Sequence, residues 1–201
     1  TNNGIANVDQ PAPMPSGQLF TLIEKPEALQ SAIRLGAATI DRLHTDYPAL
    51  QVVNTILGGY FGSRLMANIR EEKGYTYGIG SGMVSFKGFG SLFIATEVGA
   101  DVTRSTMTEI EKEINILKTE PISDEELSLV KNYMLGSLLG SLENVMSHAD
   151  KFKSIYFSGL DFGYYDYYTS IVHDIQPVEI LRIANQYLDF DKMTKVIVGK
   201  Y

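Results

Sequence analysis

Apolar residues repeat along this chain at two spacings, and the changes between them predict its elements. GQLFTLIEKP (17–26) and ALQSAIRLGA (28–37) read as strands, with Leu29, Ile33 and Leu35 alternating with smaller or polar residues in the second. EKPEA carries the turn chemistry between them. TDYPALQVVNTILGG (45–59) shifts to helical spacing. Thr45 or Asp46 is a candidate N-cap, Leu50, Val53, Ile56 and Leu57 form one stripe, and Gly58 and Gly59 form a stop. Ser63 is placed to cap a second helix that ends at Gly74. Strands are expected over 75–86 and 90–98, with Gly88 and Gly90 in the turn. DVTRSTMTEIEKEINILKTE puts Met107, Ile110, Ile114 and Leu117 on one helical face. From Ser123, which with Glu126 has the spacing of a capping box, helical spacing runs on through Leu127, Val130, Met134, Leu138, Val145, Ala149, Phe152 and Tyr156. Gly136 and Gly140 are expected to bend or loosen this long helix. Two shorter helices follow, at 162–173 and 177–188, and the chain closes on the extended run TKVIVGKY.

The order is β-β-α-α-β-β-α-α-α-α-β, in which hairpins alternate with helix pairs. That predicts an α+β fold with a largely antiparallel sheet and its helices packed on one face. Residues 1–16, rich in Asn, Pro and Gly, read as a linker, and 17–201 as one domain. The linker has no initiator Met and no signal-peptide pattern, so the chain is expected to be cut from a longer protein whose N-terminal half precedes it.

Composition narrows the chemistry. The 201 residues carry a net charge of −7, which argues against a nucleic-acid binder. Without cysteine there is no disulfide, thiolate metal site or cysteine nucleophile. No apolar run reaches the roughly 18 residues of a membrane span. His44, His148 and His173 are far apart, and neither H-E-x-x-H nor H-x-x-E-H occurs, so no metal site is expected in this chain. GGYFGSRL lacks the lysine of a phosphate loop, GIGSGM runs into a strand, and no G-x-S-x-G elbow occurs. Asp124-Glu125-Glu126 and Glu109 with Glu113 read as solvated carboxylates. The aromatic run FGYYDYYTS (162–170) reads as helix packing or a domain interface rather than a ligand site.

One stretch resists that plain reading. REEKGYTYG sets Arg70 and Tyr77 seven apart across a helix-to-strand corner. By residue type alone, Arg70 would cap its helix or pair with Glu71 or Glu72, and Tyr77 would pack half-buried on a strand. Gly78, Gly80 and Gly82 leave one strand face bare, which permits close approach of a packed helix or, second to that, of a substrate strand.

The segment DYPALQVVNTILGGYFGSRLMANIREEKGYTYGIGSGM, with QSAIRLG before it and PISDEELSLVKNYMLGSL after it, resembles the insulinase/pitrilysin-like zinc metallopeptidases, a group that includes mitochondrial processing peptidase. The resemblance runs over about 17–201. It implies two homologous α+β domains facing each other across a chamber, of which this chain, lacking H-x-x-E-H, is the second, non-catalytic one. In that scheme zinc, its ligands and the general base belong to a partner half. Tyr77 would assist the transition state and Arg70 would position a peptide substrate, with Tyr75 a nearby competitor for the role of Tyr77. The resemblance equally covers family members that have lost proteolysis and serve as assembly or peptide-binding subunits. An unrelated α+β ligand-binding module is a third possibility, and it would place a closed pocket away from the corner.

Overall fold

The computed structural model describes residues 19–201, and the linker expected at 1–16 lies outside them. Five strands form one sheet: β1 (Phe20–Glu24), β2 (Gln30–Thr39), β3 (Thr76–Ser85), β4 (Gly90–Gly99) and β5 (Thr194–Gly199), in the order β1-β5-β2-β4-β3. The helices are α1 (Tyr47–Asn54), α2 (Thr103–Thr119), α3 (Asp124–Gly140), α4 (Val145–Tyr156), α5 (Gly163–Asp174) and α6 (Pro177–Tyr187). Two π-helical segments, Thr55–Gly59 and Met66–Glu72, continue and follow α1. The sheet is antiparallel except where β1 runs parallel to β5. None of the helices described is long and apolar enough to cross a membrane.

β4 shows why the helices gather on one face. Leu92, Ile94, Thr96 and Val98 are buried, while Ser91, Phe93, Ala95 and Glu97 point the other way, as the two-residue period of a strand requires. The buried set meets Ile33, Leu35 and Ile197 of the neighbouring strands, the α1 stripe of Leu50 and Val53, and Ile110 and Ile114 of α2. Burial of each such side chain is worth about 1.5–3 kcal/mol, so this shared core outweighs any single cap or surface ion pair.

The structure corrects four expectations. β1 and β2 do not form a hairpin, because β5 lies between them. The β-branched run Val196-Ile197-Val198 suits a central strand better than the short, half-exposed β1, which becomes an edge. Leu29, expected inside, precedes β2 and is 88% exposed; Ser31 takes the inward position and bonds both the N–H and the carbonyl of Lys200 at 2.9 Å. The long helix breaks after Gly140, where the Ser141 hydroxyl donates to Leu138 O and Asn144 Oδ1 accepts Ser147 N–H to start α4. With that change of direction Ile155 turns inward, and Val145, Ala149, Phe152 and Tyr156 are left exposed.

The fourth correction concerns caps. Ser123 accepts Glu126 N–H at 3.2 Å, but the Glu126 carboxylate does not reach back to it; it holds Arg64 through two bonds of 2.8 Å. Ser63 Oγ is buried without a partner among the described residues. Asp46 sits at the start of α1 but caps no helix N–H. Its carboxylate accepts Arg182 Nη2 at 2.7 Å and the Tyr187 hydroxyl at 2.8 Å, which ties α1 to α6.

The Arg182 hydrogen bond lowers the Asp46 carboxyl pKa most; burial opposes it, and the weaker Tyr187 hydrogen bond adds to the lowering. A depressed carboxylate contributes stability that is present above its unfolded pKa, about 3.9, and is lost as pH falls through the folded value. Asp46→Asn is therefore expected to lower the melting temperature at pH 7. The difference from wild type should shrink as pH falls below about 4, as calorimetry at several pH values would record.

Candidate functional site

The corner between the second π-helical segment and β3 is fixed from below by α2. Asn68 Nδ2 donates to Glu113 Oε1 at 2.6 Å and to Glu109 Oε2 at 2.9 Å, and Lys73 lies 3.6 Å from Glu109. Glu109 and Glu113 are thus not the solvated pair that their sequence position suggested; Glu113 is buried. The Asn68 bond first, and Lys112 and Lys73 after it, hold the Glu109 carboxyl below its ordinary pKa. This latch grips the chain two residues before Arg70 and three after it.

Above the latch, Arg70 Nε donates to the backbone carbonyl of Tyr77 at 2.9 Å. Its Nη1 pairs with Glu71, and its guanidinium lies over the Phe61 ring, 4.9 Å from the centroid. Nη2 makes no hydrogen bond to the described residues. The seven-residue spacing therefore marks a contact to the main chain of Tyr77, not to its phenol. The pairing with Glu71 expected from residue type is also present.

Tyr77 itself projects outward and is 93% exposed, the reverse of the half-buried strand packing that residue type suggests. A β-bulge explains the direction. Thr76 pairs with Val98 and Ile79 with Thr96, so one extra residue is inserted on β3 at Tyr77-Gly78. Two threonine hydroxyls, one on buried Thr96 and one on partly exposed Thr76, stitch the bulge: Thr96 Oγ1 donates to Gly78 O at 3.0 Å, while Thr76 Oγ1 accepts Gly78 N–H at 3.1 Å and donates to Glu97 O at 2.6 Å. Tyr75 packs against the core, which leaves Tyr77 as the free phenol of the two.

Close packing positions this edge strand. A Cβ on Gly58 would lie 2.6 Å from Ser81 N, and one on Gly80 would lie 3.3 Å from Gly58 O. A helix backbone thus takes the close approach that the glycines allow at Gly80, whereas Gly82 is covered by the Phe93 ring and Gly78 is open.

The histidines do not converge. His44 Nδ1 accepts Asp46 N–H, His148 Nε2 bonds Leu142 O, and His173 Nδ1 meets Asp174. Among the described residues no cluster of His, Asp or Glu could hold a metal ion. The aromatic run does two things: the Tyr167 hydroxyl donates to Thr45 O, joining α5 to the start of α1, while Tyr164, Tyr165 and Tyr168 line an open cavity with Arg42 and Lys151. No motif flags those two cations, whose partners come from distant parts of the chain.

The family model described as the peptidase M16 inactive domain matches residues 2–134. A Bacillus subtilis protein named as an uncharacterized zinc protease, YmxG, is 34% identical over 126 residues, which is 63% of this chain and 31% of that protein. Another from Bacillus subtilis, YmfF, named a probable inactive metalloprotease, is 26% identical over 123 residues, 61% of this chain and 28% of that protein. The crystal structure of a peptidase M16 inactive domain from Pseudomonas fluorescens superposes with a TM-score of 0.83 at 27% identity, covering 90% of this chain and 43% of that one. The matched regions thus span about a third of the two curated relatives.

Thr96→Val keeps the shape of the side chain and removes the hydroxyl that holds Gly78 O. It is expected to cost about 1 kcal/mol. Amide exchange should speed up at 76–79 and leave α2 and α6 unchanged; unaltered exchange there would mean that the hydroxyls do not hold the bulge.

Proposed function

The chain belongs to the peptidase M16 inactive-domain family, and from that premise we propose that it is the substrate-facing half of a two-part zinc peptidase. The observation that carries the reading is Tyr77: an exposed phenol whose direction is fixed by a pinned bulge on an edge strand, beside the Arg70 guanidinium that holds its backbone carbonyl. Zinc, its ligands and the general base belong to a complementary half in this reading, and the residues of this segment take no part in holding them.

What these residues can do follows from their donors. The phenol of Tyr77 can give one hydrogen bond to an oxyanion developing on a scissile carbonyl. Such a bond strengthens as charge builds, so it favours the transition state over bound substrate. Arg70 keeps Nη2 for a substrate carbonyl or carboxylate, while its Nε holds the backbone that aims Tyr77. Both roles need the two halves to close around a peptide, because in this reading the zinc and the general base come from the complementary half.

A second reading, an assembly or peptide-binding subunit without proteolysis, is favoured by the similarity to YmfF. The two readings separate in one experiment on the full-length protein with its complementary half, using an unfolded peptide with and without a chelator. The first reading expects chelator-sensitive cleavage. Tyr77→Phe should then lower kcat about 10²-fold with little change in KM, and Arg70→Ala should lower kcat and raise KM. No cleavage by the wild type would favour the subunit, and cleavage with wild-type kinetics for both variants would remove Tyr77 and Arg70 from the first reading.

A further inference from the structure

A cavity of about 430 Å³ opens between α1, α3, α4, α5 and β3, within the size range of small-molecule sites. Its lining includes two cations, Arg42 and Lys151, and no Asp or Glu. Neither cation makes an ion pair with a carboxylate among the described residues. The Arg42 guanidinium lies 5.8 Å from the Tyr164 ring centroid and Lys151 Nζ 5.9 Å from that of Tyr165. Arg42 Nη1 donates to the Ser154 hydroxyl, but Arg42 Nε is buried with no acceptor among the described residues. Asn54, also in the lining, is only 8% exposed, and its Oδ1 has no donor among the described residues. Ser81 does not supply one, because its hydroxyl donates to the Asn54 backbone carbonyl at 3.1 Å.

These features share one explanation. Two cations held together without a counter-charge repel each other, and burial first, then Arg42, pushes the Lys151 pKa down. A buried donor and a buried acceptor left unpaired each cost free energy as well. A bare oxyanion would answer the cations and Arg42 Nε but would leave Asn54 Oδ1 unpaired. A ligand with a carboxylate and an adjacent N–H answers all of them, and tyrosine faces suit the apolar remainder.

We propose that this cavity binds the C-terminal residue of a peptide, its carboxylate on Arg42 and Lys151 and its amide N–H on Asn54. The site is separate from the corner: Ser81, the first residue of β3 in its lining, lies four residues beyond Tyr77, about 13 Å along an extended strand. The inference therefore does not rest on the catalytic reading of Tyr77, and its test does not use peptidase activity.

The test is calorimetric titration of the full-length protein with an N-acetylated dipeptide as the free acid, with the same dipeptide as its C-terminal amide, and with inorganic phosphate. The free acid should bind at least about tenfold more tightly than the amide or phosphate. Lys151→Gln, at a half-exposed position without an ion pair, should weaken free-acid binding about tenfold and leave the fold intact. Asn54→Leu should reduce the preference for the free acid over phosphate. Equal binding of acid and amide, binding of phosphate alone, or no binding of the free acid would each overturn the proposal.

Discussion

The close approach of Gly58 to β3 is the constraint on which both halves of this structure depend. With the Ser81 backbone 2.6 Å from where a Cβ would stand, no other residue fits at that turn without a shift. Because glycine is there, the π-helical end of α1 lies directly on the edge strand. The Ser81 hydroxyl then reaches Asn54 O, which closes one wall of the cavity, and the next π-helical segment is left at the height where Arg70 meets Tyr77 O. Two π-helical segments, a rare helical form that appears mostly as short insertions, carry the chain along β3 between α1 and the corner.

The corner combines a rigid base with an exposed tip. Asn68, Glu109 and Glu113 fix the helical side, and the Thr76 and Thr96 hydroxyls fix the bulge. Arg70 joins the two sides through its Nε bond. The backbone that carries Tyr77 is thus fixed from both sides, so under the proposed role the cost of ordering it would be met within the fold rather than at the moment of binding.

The sequence made most of the fold legible where the apolar period was long and local. The stripes of α1 and α2 and the β3-β4 hairpin lie where periodicity and Gly88 put them, and Gly88 takes a positive φ of 88° in the turn. Strand order was not legible, because the place of β5 between β1 and β2 depends on residues at opposite ends of the chain. Asp46 misled for the same reason: as a local signal it is an N-cap, but Arg182, 136 positions away, outbids the helix for its carboxylate. The α3-α4 region kept its helical period through a break, and period alone does not say which turn faces a core. At the site, the spacing of Arg70 and Tyr77 was readable, but its physical content was not: the contact is to a carbonyl, and a bulge turns the phenol outward. The cavity left no trace in sequence, since Arg42, Asn54 and Lys151 share no motif.

The most direct measurement places a photo-crosslinking phenylalanine analogue at position 77 of the full-length protein with its complementary half, irradiates it with and without an unfolded peptide, and maps the products. If Tyr77 faces across to a partner half, crosslinks will reach that half in the empty protein and the peptide when it is present. Crosslinks confined to residues 19–201, or none in either state, would contradict a role for Tyr77 beyond this domain.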